Sequence, residues 1–356
     1  MVAGDTARRV LITGGAGFIG SALCRSLVRS GHHVVNLDCL TYSGNPASLR
    51  DVETHPNYRF YKADIGDGAS VAEILFRERI DWIAHLAAET HVDRSIDGPA
   101  AFIATNIVGT SRLLDAATAY FRGLSEPEKA RFRFLQVSTD EVFGDLSLDS
   151  DPFDEASLYR PSSPYAASKA AADHLVLAWR RTYGLPTLVS NCSNNYGPFQ
   201  FPEKLIPVAI LSALHGRPVP VYGDGGQIRD WLHVEDHVRA IELVLAKGEV
   251  GGSYIVGARA ERTNLAVIEE VCDLLDRKRP QTDGKRRRDL IRFVEDRPGH
   301  DRRYAVDPAR IERDLGWRPT RTFSAGLEDT IAWYVDNEWW WGLLSAEAGV
   351  RRGTGA

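Results

Sequence analysis

The stretch Arg9-Val10-Leu11-Ile12-Thr13-Gly14-Gly15-Ala16-Gly17-Phe18-Ile19-Gly20 decides the fold. Its first five residues form an apolar run of strand length, and a glycine-rich turn follows at once. Ile19, Leu23, Leu27 and Val28 then recur on one face of a helix. Glycines at 14, 17 and 20 permit a tight turn, a close backbone approach to a pyrophosphate, and close helix-to-strand packing. The start of the helix offers unpaired N–H groups to phosphate.

A second apolar run, Val34-Val35-Asn36-Leu37, ends at Asp38, 18 residues after Gly20. An acid at that distance accepts the adenosine ribose hydroxyls. Its charge disfavours the additional phosphate of NADP, and Cys39 follows where a basic residue would be needed, so the pattern points to NAD. Asp64 closes Arg59-Phe60-Tyr61-Lys62-Ala63 and is placed either to reach the adenine or to cap the strand end.

The same alternation continues along the chain. Strands are expected at 9–13, 34–38, 59–64, 82–87, 132–138 and 187–191, and helices at 18–30, 70–79, 99–121 and 165–183. This predicts an α/β fold, a doubly wound parallel sheet of Rossmann type, with ligands gathered beyond the carboxyl ends of the strands. After Tyr196 the rhythm is broken by Gly and Pro, which suggests a smaller α/β lobe with helices at 204–215, 234–247, 264–276 and 324–337. The expected division is 1–196 mainly for the dinucleotide domain and 197–345 mainly for the second lobe, some of it returning to the core. A flexible tail is expected over 346–356.

With 356 residues, 44% apolar and 26% charged, the chain has the composition of a globular protein able to bury a large core. A net charge of −5 gives no reason to expect a nucleic-acid partner, and Lys285-Arg286-Arg287-Arg288 reads as a solvated loop. Trp339-Trp340-Trp341 reads as packing or a subunit contact. Cys24, Cys39, Cys192 and Cys272 are scattered, without the spacing of a zinc site or a disulfide framework, and no metal is expected. No apolar stretch is long enough to cross a bilayer, and no signal peptide is read at the start, so the expected location is cytoplasmic.

The chemistry lies in Ser138-Thr139-Asp140-Glu141 and in Tyr165-Ala166-Ala167-Ser168-Lys169. Tyr165 and Lys169 are one helical turn apart, and an ammonium beside a phenol eases its ionisation. A phenolate can take the proton of a sugar hydroxyl while hydride leaves to a nicotinamide. Asp140 and Glu141 are either a helix cap or an acid/base pair. Two adjacent carboxyls disfavour joint ionisation, which keeps one of them protonated for donation.

These segments resemble the dTDP-glucose 4,6-dehydratases, members of the extended short-chain dehydrogenase/reductase family. The resemblance runs from Gly14 to about Trp340. It includes Leu40 to Asn45, His85 to Ser95, Asn194 to Pro198, Pro202 to Pro207, Arg229-Asp230-Trp231 and Asp296 to Asp301. Thr139-Asp140-Glu141 together with His91-Val92-Asp93-Arg94-Ser95 is its most specific part.

The resemblance implies that Tyr165, with Thr139 and Lys169, deprotonates the glucose C4 hydroxyl as hydride passes to NAD. Glu141 then removes the C5 proton and Asp140 protonates the departing C6 hydroxyl. It further implies cofactor contacts from Gly14, Gly17, Phe18, Ile19, Gly20, Asp38, Thr41, Asp64, Ile65, Leu86 and Ala87, besides Tyr165 and Lys169. Substrate contacts are implied for Thr90, Asn195, Lys204, Arg229, Asn264, Arg297 and His300, each with a salt bridge or cap as its plainer alternative.

Phe143, Thr90, Gln200 and Tyr42-Ser43 depart from the usual family residues. A homodimer is implied, packed through the helices expected at 99–121 and 165–183. The competing readings are a UDP-glucose 4-epimerase, a UDP-glucuronate decarboxylase, and a non-catalytic NAD-binding regulator. Neither of the two enzymes needs an acid/base pair at C5 and C6.

Overall fold

The structure is a computed structural model that describes residues 7–342 and 344. The tail expected over 346–356 lies outside the described residues. In chain order the strands are β1 (Arg9–Thr13), β2 (His33–Asp38), β3 (Tyr58–Lys62), β4 (Trp82–His85), β5 (Arg133–Thr139) and β6 (Thr187–Cys192). They continue with β7 (Asn194–Tyr196), β8 (Val219–Tyr222), β9 (Ile228–His233), β10 (Ser253–Val256), β11 (Glu261–Thr263) and β12 (Ile291–Val294).

Seven strands form one parallel sheet in the order β10-β6-β5-β4-β1-β2-β3. The order reverses between β1 and β4, which opens the crevice where such sheets bind ligands. A parallel sheet must be covered on both faces, and β1 shows how its sequence allows this. Val10 and Ile12 pack with Leu23 and Leu27 of helix Phe18–Arg29 on one side. Leu11, between them, faces the opposite layer with Leu75, Leu113 and Val176. All three β1 side chains are fully buried, each stabilising the fold by roughly 1.5–3 kcal/mol.

Helix Pro164–Tyr183 is written in its ends. Ser163 caps it by accepting from Ala166 N at 3.1 Å, Pro164 opens it, and Gly184 closes it with φ +73°.

The second lobe has its own core of Tyr196, Ile210, Trp231, Val271, Phe323 and Ile331. Its small sheets, β11-β9-β7 and β12-β8, were not anticipated from the sequence. Their strands are three to six residues long, too short for a periodic signal. Helix Val234–Lys247, expected in that lobe, instead packs Val238, Ile241 and Val244 against the large sheet, and β10 extends that sheet.

The helix expected at 99–121 is three pieces: α-helix Pro99–Phe102, a π-helical segment Ile103–Gly109, and α-helix Thr110–Arg122. The basic run is also not a simple solvated loop. Arg287 is buried and donates to Asp276 and to the Ala213 and Arg279 carbonyls, while Arg288 pairs with Asp273. Trp340 and Trp341 are buried in the second core, Trp340 donating to Ser48 Oγ at 3.0 Å, and Trp339 is half exposed.

Candidate active site

The carboxyl ends of β1, β2, β4, β5 and β6 open onto one cavity of about 330 Å³. Every residue assigned above to the cofactor lines it, from Gly14 to Lys169. Gly14 has φ +72°, and a Cβ there would meet Ala87 N at 2.7 Å, while one at Gly20 would collide with the Gly14 carbonyl. Only glycine fits this turn. Helix Phe18–Arg29 has no side-chain cap at Gly17, so its first N–H groups face the cavity free for phosphate oxygens.

Asp38 stands at the end of β2, where Oδ2 accepts from Ala16 N at 2.9 Å and Oδ1 from Leu40 N at 2.8 Å. The carboxylate thus braces the glycine turn and keeps lone pairs for a ribose diol. Burial raises its pKa, and the two amides oppose that shift. Asp64 both lines the cavity and caps a turn, accepting from Gly66 N at 2.7 Å. The cradle, the open helix start and the acid fit an NAD molecule.

Leu86 and Ala87 leave β4 earlier than the sequence suggested, because their N–H groups turn to Thr13 Oγ1, each at 3.2 Å. Behind them His85 bridges Thr13 Oγ1 (2.7 Å) and Thr110 Oγ1 (2.9 Å). Complete burial lowers its pKa to about 3, so the ring is neutral at ordinary pH. The π-helical segment brings Asn106 to the same loop. Its Oδ1 accepts from Glu89 N at 2.9 Å, and its Nδ2 donates to Glu89 O at 3.0 Å and to Ser168 Oγ at 2.8 Å. An irregular helix turn at a functional site is a recurring device. Nothing in the sequence marked Asn106, since a π-bulge has no composition of its own.

Strand β5 ends in Thr139, and a 3₁₀ turn, Asp140–Phe143, follows. Thr139 is the cap of that turn, its hydroxyl accepting from Glu141 N at 3.2 Å. The capping role considered for the two acids therefore falls to Thr139. Asp140 is instead buried and Glu141 part-buried in the cavity wall. Burial, then the neighbouring Glu141 and Asp230, push the Asp140 carboxyl well up, and its Oδ2 has no partner among the described residues. Burial also raises Glu141, against the pull of Arg297, Arg229 and Lys204.

Tyr165 lies beside them in the cavity lining, its phenol pushed up by burial and by Glu141, with Thr139 opposing that shift. Its ionisation therefore needs positive charge in the cavity. Lys169, one helical turn on, lines the same cavity and donates to Val137 O at 2.9 Å. Phe143 keeps an aromatic role, packed on Phe153 and Tyr159 with ring centres 5.1 and 5.2 Å away.

The residues assigned to the substrate divide into two groups. Thr90, Asn195 and Lys204 line the cavity. Lys204 Nζ donates to Thr90 O at 2.9 Å, and Asn195 is held by His237 and the Ser193 carbonyl. Gln200 also lines the cavity and donates to Asn195 O at 2.9 Å. Arg229, Asn264, Arg297 and His300 lie outside the cavity lining, on the second lobe.

Arg229 is buried under the Tyr304 ring at 4.2 Å and donates to Asp301 O at 2.9 Å. Arg297 pairs with Asp93 at 2.8 Å, and His300 Nδ1 meets Asp296 at 2.6 Å, so each has a carboxylate partner within the chain. Both arginines nevertheless stand close enough to stabilise the Glu141 anion.

A further contact ties Tyr42 and Arg94, which lie outside the cavity lining, to the segment that carries Glu203. Tyr42 donates to Glu203 at 3.0 Å, and Arg94 lies over the Tyr42 ring at 3.7 Å.

A family model described as GDP-mannose 4,6 dehydratase matches residues 11–330. A dTDP-glucose 4,6-dehydratase of Neisseria meningitidis serogroup B is 55% identical over 337 residues, covering 94% of this chain and 95% of that protein. One from Salmonella typhimurium is 54% identical over 341 residues, covering 93% and 94%. The crystal structure of a dTDP-glucose 4,6-dehydratase of Streptomyces venezuelae with NAD bound has a TM-score of 0.86 at 43% identity, covering 94% and 99%. A UDP-glucose 4-epimerase of Thermus thermophilus in complex with NAD reaches a TM-score of 0.80 at 28% identity, covering 92% and 99%. The chain belongs to the GDP-mannose 4,6 dehydratase family, alongside the dTDP-glucose 4,6-dehydratases.

Proposed function

We propose that this chain converts dTDP-glucose to dTDP-4-keto-6-deoxyglucose and water, with NAD as its resident cofactor. The observation that carries this reading is the adjacent pair Asp140, buried, and Glu141, part-buried, in one cavity wall with Tyr165 and Lys169. Relatives more than half identical over nearly the whole chain carry the name of the same activity.

NAD, held by the glycine turn at Gly14 to Gly20 and by Asp38, would supply the redox chemistry as hydride acceptor for C4 and donor for C6. The protein moves the protons. Tyr165, beside Thr139 and aided by the Lys169 charge, takes the proton of the C4 hydroxyl. The resulting ketone acidifies the C5 hydrogen, which Glu141 removes. Asp140, held protonated by burial beside Glu141, gives its proton to the C6 oxygen as water leaves. Glu141 then returns a proton to C5. The hydride removed from C4 is the one delivered to C6, so no external reductant is needed, and the proton gained by Tyr165 equals the one lost by Asp140, so the two residues are reset by proton exchange alone.

Substrate binding is assigned to Thr90, Asn195, Lys204, Arg229, Asn264, Arg297 and His300, with the two guanidinium forks suited to a diphosphate. The segments 1–196 and 197–345 divide the work, the first mainly holding NAD and the second mainly the nucleotide sugar. A homodimer is part of the same reading, supported by Ile103 and Val108, apolar yet 51% and 50% exposed on the 99–122 helical stretch. A cytoplasmic location is likewise inferred; among the described residues no helix is long and apolar enough to cross a membrane.

The test is turnover of dTDP-glucose by the purified protein, with UDP-glucose in parallel. Tight NAD binding without turnover of either sugar would favour the non-catalytic alternative.

A further inference from the structure

Asp173 is fully buried and lies outside the lining of the cavity, four residues beyond Lys169 on helix Pro164–Tyr183. Residues at that spacing stack on one helix face. Three donors converge on a single oxygen of its carboxyl group: Ser138 Oγ at 2.6 Å, Tyr159 OH at 3.1 Å and Asn191 Nδ2 at 3.3 Å. Its other oxygen, Oδ1, has no hydrogen-bond partner among the described residues. Burial raises the Asp173 pKa, and Lys169, then Ser138, Tyr159 and Asn191, oppose that shift; three donors on one oxygen suit the acceptor-only, ionised form.

The donors come from the framework of the site. Ser138 and Asn191 are partners across β5 and β6, and Asn191 Nδ2 also reaches Thr139 O at 3.2 Å. A buried anion one turn from a buried ammonium is costly to build unless the two serve each other. The other groups facing Lys169 are Tyr165 on its own helix, Cys192 on β6 and His85 on β4, the last held neutral. Asp140 and Glu141 face Tyr165. Burial lowers the pKa of Lys169, and Asp173 is the largest influence opposing that shift.

We propose that Asp173 is the buried counter-ion of Lys169, a positioning residue that keeps Lys169 charged and so sets the pH at which Tyr165 accepts the sugar proton. The inference rests on the dehydratase reading above.

Asp173→Asn keeps the shape and removes the charge. Single-turnover formation of NADH from dTDP-glucose is followed across pH in the holoenzyme, with the melting temperature measured alongside. The midpoint of the rate's rise with pH is expected to move upward by about one unit, with the loss at neutral pH recovered at higher pH. An unmoved midpoint overturns the proposal, because a merely structural role lowers the rate equally at every pH. Should Asp173→Asn fail to fold, Tyr159→Phe removes one donor from the same carboxylate. A smaller shift in the same direction is then expected, and no shift overturns the proposal. A wild type silent on dTDP-glucose overturns the dehydratase reading and this inference together, whereas an active wild type with an unmoved variant profile overturns this inference alone.

Discussion

Asn106 holds the backbone of Glu89 from both sides, accepting from its N–H at 2.9 Å and donating to its carbonyl at 3.0 Å. The clamp depends on the π-helical turn and fixes the loop Leu86–Glu89 against the cavity.

Asn106→Ala leaves two part-buried backbone groups of Glu89 unpaired, at a cost of up to about 1 kcal/mol each. The loop is then expected to loosen and release NAD. The check is the NAD content of the purified variant, expected to fall several-fold. Full retention of NAD at wild-type activity would remove the loop from the cofactor site.

Asp140→Asn with Glu141→Gln removes both carboxyls while leaving Thr139, Tyr165 and Lys169 in place. Oxidation at C4 is expected to survive in part, seen as nicotinamide absorbance, while the keto-deoxy product disappears. Product at the wild-type rate would contradict the acid/base assignment.

The same buried acid has a cost in stability. The folded pKa of Asp140 lies well above the ordinary 3.8, from burial and from Glu141. A carboxyl raised in this way opposes folding once the unfolded chain ionises, so its cost is absent below that ordinary value and grows as pH rises toward the folded value. Asp140→Asn is therefore expected to melt above the wild type at neutral pH, with the difference shrinking toward pH ~4. Equal melting temperatures across that range would show that Asp140 is not destabilised by its site.

Arg229→Lys keeps the charge but loses the fork that reaches Asp301 O and the flat face over Tyr304. The expected result is an increase of about tenfold in KM for dTDP-glucose, some 1.4 kcal/mol, with a smaller change in kcat. An unchanged KM would take Arg229 out of the diphosphate site.

Much of this was legible in the sequence because the core follows strict periods. Val10, Leu11 and Ile12 alternate between the two layers, and Ser163, Pro164 and Gly184 mark the ends of the helix that carries Tyr165 and Lys169. The cavity contacts around Gly14, Asp38 and Tyr165 were legible because glycine turns and strand ends fix them locally. What escaped depends on the path of the chain in space. Asn106 reaches Glu89 only through an irregular helix turn, and Asp173 meets Ser138 and Asn191 only across packed elements. Helix Val234–Lys247 was misplaced because its amphipathic pattern says that it packs, not on which sheet.

The most direct measurement is incubation of the purified protein with dTDP-glucose and no added reductant, watching for the 4-keto-6-deoxy sugar and for NADH. The expected result is stoichiometric conversion to product with no lasting NADH, because the hydride taken from C4 returns to C6. NADH that accumulates without dehydration, or a sugar merely inverted at C4, would contradict the role of Asp140 and Glu141 as the acid and base of a dehydratase.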